Sequence, residues 1–366
     1  MVAVLVGAVG LVVAALVAWW LQGRRAGAPT RERAATRSGE RQAPAMAMPA
    51  VPDGDAGQIL LAGFHALALV PRSGGACPAV LSRDEPLEAA VAAALEARDW
   101  SARHLPRRPQ LLPQLIQTVN DSDASARSMA AIIGQDAVLT GNLLRIANSP
   151  IYRLQAKPVD SLQRAVTLVG TEGIRQIISA VLVQPVMQLH CEAFPQFGTV
   201  IWEHALLASR AAADHARMVT HEDAFAAQWM GLTQGLGAAL VMRHLLDAAH
   251  DQAATPSQAV ASQLLDAWTL PVASRIAAAW ELPPSVHEAL SRDAEASGGG
   301  LAASLRFARA AASASLLCRH GRISQAQALA LLEQCQGTPV HALQWIWRRL
   351  HGRSVETLDA EEMVEG

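Results

Sequence analysis

The chain holds twelve histidines and four cysteines, the side chains best suited to gripping a transition metal. No HxxxH or HExxH pair occurs, so no helix face presents two imidazoles one turn apart. Cys77, Cys191, Cys318 and Cys335 are scattered without CxxC spacing, which reads as reduced, mostly buried thiols. His204 stands alone at helical spacing among the alanines of WEHALLASRAAA. A histidine so placed reads as a hydrogen-bonded packing residue before it reads as a ligand. His215 and His221 flank MVT in an expected turn and read as surface residues, and His341 sits near the start of a C-terminal helix.

Phosphate-handling motifs are missing as well. There is no P-loop, GxGxxG or GxSxG in a strand–turn–helix setting. GGGL at 298–301 could offer backbone amides to an anion but reads as a joint between helices. Arg145, Asn148, Tyr152 and Arg153 gather around ANSPIY. They make a candidate recognition surface for a partner or a nucleotide, with ordinary capping and solvation as the plainer reading. One stretch raises a sharper question. WMGLTQGLGAALVMRH, 229–244, carries Gly231, Gly235 and Gly237, each costing a helix about 1 kcal/mol relative to alanine. A neighbour must come close there.

The elements that would position these residues are helical. Half the chain is hydrophobic, but aromatics are scarce, with Tyr152 the only tyrosine, and alanine and leucine dominate. That composition favours helices over sheets, and 366 residues allow two or three compact units, or one large one with appendages. AGQILLAGFHALALV and EPLEAAVAAALEARDW, parted by RSGGACP, predict a lead-in helical hairpin over 56–104. Ser125 is an expected N-cap of a helix ending near Gly134, Asp136 caps the next, and Ser161 caps one ending at Gly170. Residues 296–350 supply C-terminal helices. The last, PVHALQWIWRRLHGR, packs its tryptophans by default, with a partner-binding or membrane-surface face as the minor alternative. Residues 351–366 form an acidic tail.

The N-terminus predicts a membrane anchor. Residues 1–22 are uncharged and open with MVAVLVGAVGLVVAALVAWWL, about 31 Å of helix, with Trp19 and Trp20 where interfacial rings sit. Residues 23–55 read as a flexible linker. Six arginines against two glutamates give 24–41 a charge of +4, which the positive-inside rule places in the cytoplasm. The expectation is a single-pass inner-membrane protein with a cytoplasmic soluble domain. Since the whole chain is −2, residues 42–366 carry about −6, and such a domain has no electrostatic footprint for nucleic acid.

LLPQLIQTVNDSDASARSMAAIIGQDAVLTGNLLRIANSPIYRL, followed by SLQRAVTLVGTEGIRQIISAVL, resembles the opening half of an HDOD domain. The match rests on Leu112–Pro113, Gln135–Asp136, Leu139–Thr140, Leu143–Leu144, Ala147–Asn148–Ser149, Tyr152, Ala165, Leu168 and Gly170, and continues through WEHALLASRAAA and AAQWMGLTQGLGAALV to IAAAWELPPSV. The resemblance covers 105–295 and implies an all-α, HD-like multi-helix bundle. It also implies a role in bacterial signalling, usually without catalysis.

HD phosphohydrolases, to which such domains are similar, hold divalent metals with a histidine, a His-Asp doublet and a later aspartate. By that resemblance His204 takes the first position, Gln234 stands where the doublet histidine would be, and Gly235 where its aspartate would be. A neutral amide competes poorly with water for a metal, and glycine has no donor. Asp266 and Asp293 are left as stray carboxylates. Gly231 and Gly237 are then family positions that admit close neighbours, with a Gly231–Gly235 small-residue face as the alternative. The expectation is a non-catalytic, membrane-tethered signalling module without cofactor or metal, acting through a protein partner or regulatory ligand. The alternatives are a metal-dependent phosphohydrolase on cyclic dinucleotides or a sensor that binds a nucleotide second messenger without hydrolysing it.

Overall fold

Among the described residues of the computed structural model, every regular element is helical and no strand occurs. The structure describes residues 55–71, 84–97, 126–135, 159–170, 191–291, 299–335 and 337–351, with a few positions between 114 and 189. The expected anchor over 1–22, most of the linker, Ser125, Asp136 and the acidic tail beyond His351 lie outside them. The helices are α1 (Ala56–Ala68), α2 (Asp84–Glu96), α3 (Ala126–Ile133), α4 (Phe197–His215), α5 (Ala224–Asp251), α6 (Gln258–Ala279), α7 (Pro284–Ala289), α8 (Gly300–Arg319), α9 (Gln325–Gln334) and α10 (Val340–His351). A π-helical turn, Ala216–Thr220, continues α4.

The chain divides into two compact units, one holding Pro113–Ile177 and the other Ala47–Leu112 with Ile178–Gly366. In the first, Ile133, Leu143, Ala147, Ala165 and Val166 are buried. Ser161 caps the helical run at 162–170 by accepting the Arg164 N–H, and Gly170, with φ +78°, closes it.

The second unit is built around α5. Asp223 starts that helix by accepting the Phe225 and Ala226 N–H groups. Residues 225–242 are then buried without a break, the pattern of a helix enclosed on all sides. It lies against α4 and α6, while α8 lies against α4 and α1. The glycines make this enclosure possible. A Cβ on Gly231 would sit 2.5 Å from Ser209 Cα of α4. One on Gly237 would collide with the Thr269 carbonyl of α6. Gly235 is buried as well.

The two helices expected to pair as a hairpin over 56–104 dock on different partners instead. α1 packs mainly on α8, and α2 on α5 and α6. Long-range polar contacts fasten α2. Arg275 donates to the Leu95 and Ala97 carbonyls at 2.6 and 2.7 Å, capping the end of the helix, and Ser257 donates to Asp84 at its start. At the beginning of α8, Gly300 has φ +57°, and a Cβ there would meet Glu222 Oε1 at 2.7 Å. That left-handed backbone shape calls for glycine, while the carboxylate tip of exposed Glu222 could swing aside. One described helix, α8, is long and apolar enough to cross a membrane, but 83% of its apolar window is buried inside the bundle, as suits a core helix.

Replacing Gly231 with Ala should lower stability by about 1–3 kcal/mol despite the better helix propensity, because the methyl group meets α4 backbone that cannot rotate away. Urea unfolding measures this. A gain in stability would contradict the close approach.

Candidate functional site

α4 and α5 bring the two sequence-predicted positions together. His204 is 2% exposed and Gln234 3% exposed, and Gln234 Nε2 lies 3.2 Å from His204 Nδ1. An amide nitrogen only donates, so Nδ1 accepts and the ring proton sits on Nε2. That N–H donates to Ser313 Oγ of α8 at 3.1 Å. From α1, Phe64 covers the imidazole, with ring centroids 4.0 Å apart and planes at 26°. His204 of α4 is thus held by groups from three other helices.

The electrostatics agree with a neutral ring. Burial pushes the His204 pKa down to about 3, helped by the nearby Arg309 and His65, while hydrogen bonding to the Arg309 backbone works weakly the other way. Next along α1, His65 Nδ1 lies 3.2 Å from Asp266 Oδ1 and 3.5 Å from Ser262 Oγ. This corrects the reading of Asp266 as a stray carboxylate. Its partner lies 201 positions away in sequence, beyond any local pattern. Asp293 lies outside the described residues.

These residues do not fit a divalent metal. The lone pair of Nδ1 is committed to an amide, Nε2 carries a proton, Gln234 is neutral, Gly235 offers nothing, and an aromatic ring lies on the imidazole. Among the described residues no group of three or more His, Cys, Asp or Glu side chains converges.

A second polar cluster went unnoticed in the sequence. His215 is 2% exposed, contrary to its reading as a surface residue, whereas His221 is exposed. His215 Nδ1 meets Ser304 Oγ and its Nε2 meets Thr338 Oγ1, both at 3.0 Å. Phe307 stacks on the ring, and burial pushes the His215 pKa down to about 4. The neighbouring Asp214 carboxylate, also buried, accepts from Arg349 Nε of α10 at 3.0 Å and pairs with Arg217 at 3.5 Å. The cluster fastens α8 and α10 to the end of α4. The spacing 204, 208, 211, 215 along α4 was the available signal.

Of the candidate recognition residues, only Asn148 lies among the described ones. Its amide is fully engaged with backbone, donating to Leu144 O and Val159 O and accepting from Val159 N at 2.6–2.9 Å. It pins a turn. Arg145, Tyr152 and Arg153 lie outside the described residues.

A family model for the HDOD domain matches residues 105–296, just over half the chain. No curated protein matches. Among solved structures, a candidate signal transduction protein of Marinobacter aquaeolei VT8 is similar with a TM-score of 0.50 at 18% identity, over 74% of this chain and 63% of that one. That likeness concerns the fold alone. An HDOD domain protein of unknown function from Geobacter sulfurreducens is similar at 20% identity, covering 77% of this chain and 96% of its own, with a TM-score of 0.48. A candidate metal-dependent phosphohydrolase of Shewanella amazonensis SB2B is similar at 19% identity, over 73% and 99%, also with a TM-score of 0.48.

The buried histidines set a pH dependence. Burial, then Arg319, pushes His351 down to about 4 as well. A histidine with a depressed native pKa stays neutral in the fold while the unfolded chain takes up a proton. Its contribution is therefore complete above about 6.5 and is lost as pH falls towards 4. From pH 7 to pH 5 the loss should be about 1–2 kcal/mol each for His204 and His215, and less for the more exposed His351. Urea unfolding at both pH values measures it, and His215→Gln should flatten the slope by nearly one proton. A flat profile would refute this account.

Proposed function

Because the chain belongs to the HDOD domain family, we propose that it is a non-catalytic signalling module that works by binding another protein. The observation that supports this reading is the engagement of His204. An imidazole buried between an amide, a hydroxyl and a phenyl ring serves as a packing fastener, with no lone pair left for an ion. Catalysis by the related hydrolases requires donors that converge on a metal with positions open to water and phosphate. Here the same two helices meet through neutral groups, so what remains to be used is the bundle's surface.

The uncharged residues 1–22 and the arginines behind them support a single-pass anchor in the inner membrane, with the bundle in the cytoplasm. In this reading the linker sets the bundle's reach, and docking of a partner passes on the signal.

Two measurements on the full chain test the proposal. Metal analysis and phosphodiesterase assays should find less than stoichiometric metal and no turnover, and His204→Ala should change stability alone, by about 2–4 kcal/mol. Stoichiometric metal together with turnover that His204→Ala abolishes would defeat it. Deleting residues 1–22 should move the chain from the membrane fraction to the soluble one. Crosslinking in native membranes followed by pull-down then identifies the partner.

A further inference from the structure

The outer face of α10 and the end of α8 together make a cationic corner. The apolar stripe of α10 is buried, while His341, Gln344, Arg348 and Arg349 are exposed on its other side. Arg319, in the last turn of α8, donates to the Leu350 carbonyl at 2.6 Å. That bond brings exposed His320 and Arg322 to the same end of the bundle as Arg348 and Arg349. Two histidines register the crowding of positive charge. After burial, Arg322 and Arg319 hold the His320 pKa below the usual imidazole value, and Arg319 adds to the depression of His351.

No acidic residue occurs from Gly337 to His351 or from Cys318 to Ser324. The carboxylates that reach the cluster come from α4 beneath it: buried Asp214 pairs with Arg349 and Arg217, and half-buried Glu203 feels the charge of Arg319. Helix C-termini attract cations, which accounts for one arginine at the end of each helix. Arg322 and Arg348 are the surplus. No carboxylate among the described residues pairs with either.

The chain runs on from this corner as residues 352–366. They hold Glu356, Asp359, Glu361, Glu362 and Glu365 against Arg353 alone, five negative charges minus one positive, or −4. The ten residues from His351 to Glu361 reach at most about 35 Å. By comparison α10, with 12 residues, is about 18 Å long. The acidic side chains can therefore meet either surplus arginine. Attachment to α10 gives them an effective concentration on the order of millimolar at this face.

We propose that the acidic tail, residues 352–366, is an intramolecular ligand of the cationic face formed by Arg322, Arg348 and Arg349. An acidic partner segment has to displace it in order to dock there. Neither metal nor turnover enters, so this holds or fails independently of the non-catalytic reading.

Zero-length crosslinking on the full chain tests it. Arg322→Lys keeps the charge at an exposed position and supplies an amine that a carbodiimide joins to an adjacent carboxylate. Peptide mass spectrometry on mixed isotope-labelled and unlabelled chains separates crosslinks within one chain from those between two. The expected result is a crosslink within one chain from position 322 to Glu361, Glu362 or Glu365. Its yield should fall about tenfold in 1 M salt, where screening acts within about 3 Å. Adding Arg348→Glu should lower the yield about threefold at low salt. Three results overturn the proposal. One is no crosslink from position 322 to the tail, which leaves the face to an acidic partner or to anionic lipid. Another is crosslinks that only join two chains, which assign the face to a second copy. The third is a yield that neither salt nor Arg348→Glu changes.

Discussion

The larger unit depends on how closely α4 and α5 approach. Gly231 of α5 lies against the backbone of Ser209, and one turn further on Gln234 reaches His204, about one turn earlier on α4. The two contacts run in opposite directions along the two helices, as antiparallel packing requires. With any side chain at 231 the axes would separate by the width of a methyl group or more, and the amide would lose the imidazole. The polar bond at the centre thus follows from a missing atom one turn away. Gly237 repeats the arrangement toward α6, so α5 can be enclosed on both flanks.

A buried polar group is tolerated when its bonds are complete. His204 meets that condition with one acceptor and one donor, each satisfied by a neutral partner. A charged ring would face desolvation together with Arg309 and His65, so the geometry suits only the neutral tautomer. The pairing of Asp214 with Arg349 obeys the same rule for a carboxylate. Both clusters join helices distant in sequence, and both lie on α4.

Much of this was legible in the residues. The alanine-rich, strand-poor composition announces helices, Ser161 announces a cap, and the glycines of α5 announce close neighbours. His204 could be read as a hydrogen-bonded core residue from its surroundings. What could not be read is who meets whom. The apolar spacing of AGQILLAGFHALA implies a buried face, yet nothing local says that Phe64 will lie on His204. Adjacency in sequence suggests that α1 and α2 pair, whereas α1 packs mainly on α8 and α2 on α5 and α6. His215 reads as a surface residue because its polar neighbours imply solvent, whereas the helix carries its buried stripe through to that position and a π-helical turn prolongs it. Asp266 looks stray in the sequence because its contact with His65 spans 201 positions.

The fastening at His204 also dates the arrival of its helices. Its bond to Gln234 closes a loop of 30 residues, and its bond to Ser313 one of 109. Closure entropy grows with the logarithm of loop length, so the longer closure is dearer by about 1 kcal/mol. The α4–α5 hairpin can therefore assemble first as a template, exposing a half-satisfied imidazole that only the hydroxyl of a much later segment completes. Until α8 is in place, the Nε2–H of His204 lacks its Ser313 acceptor and must turn to water.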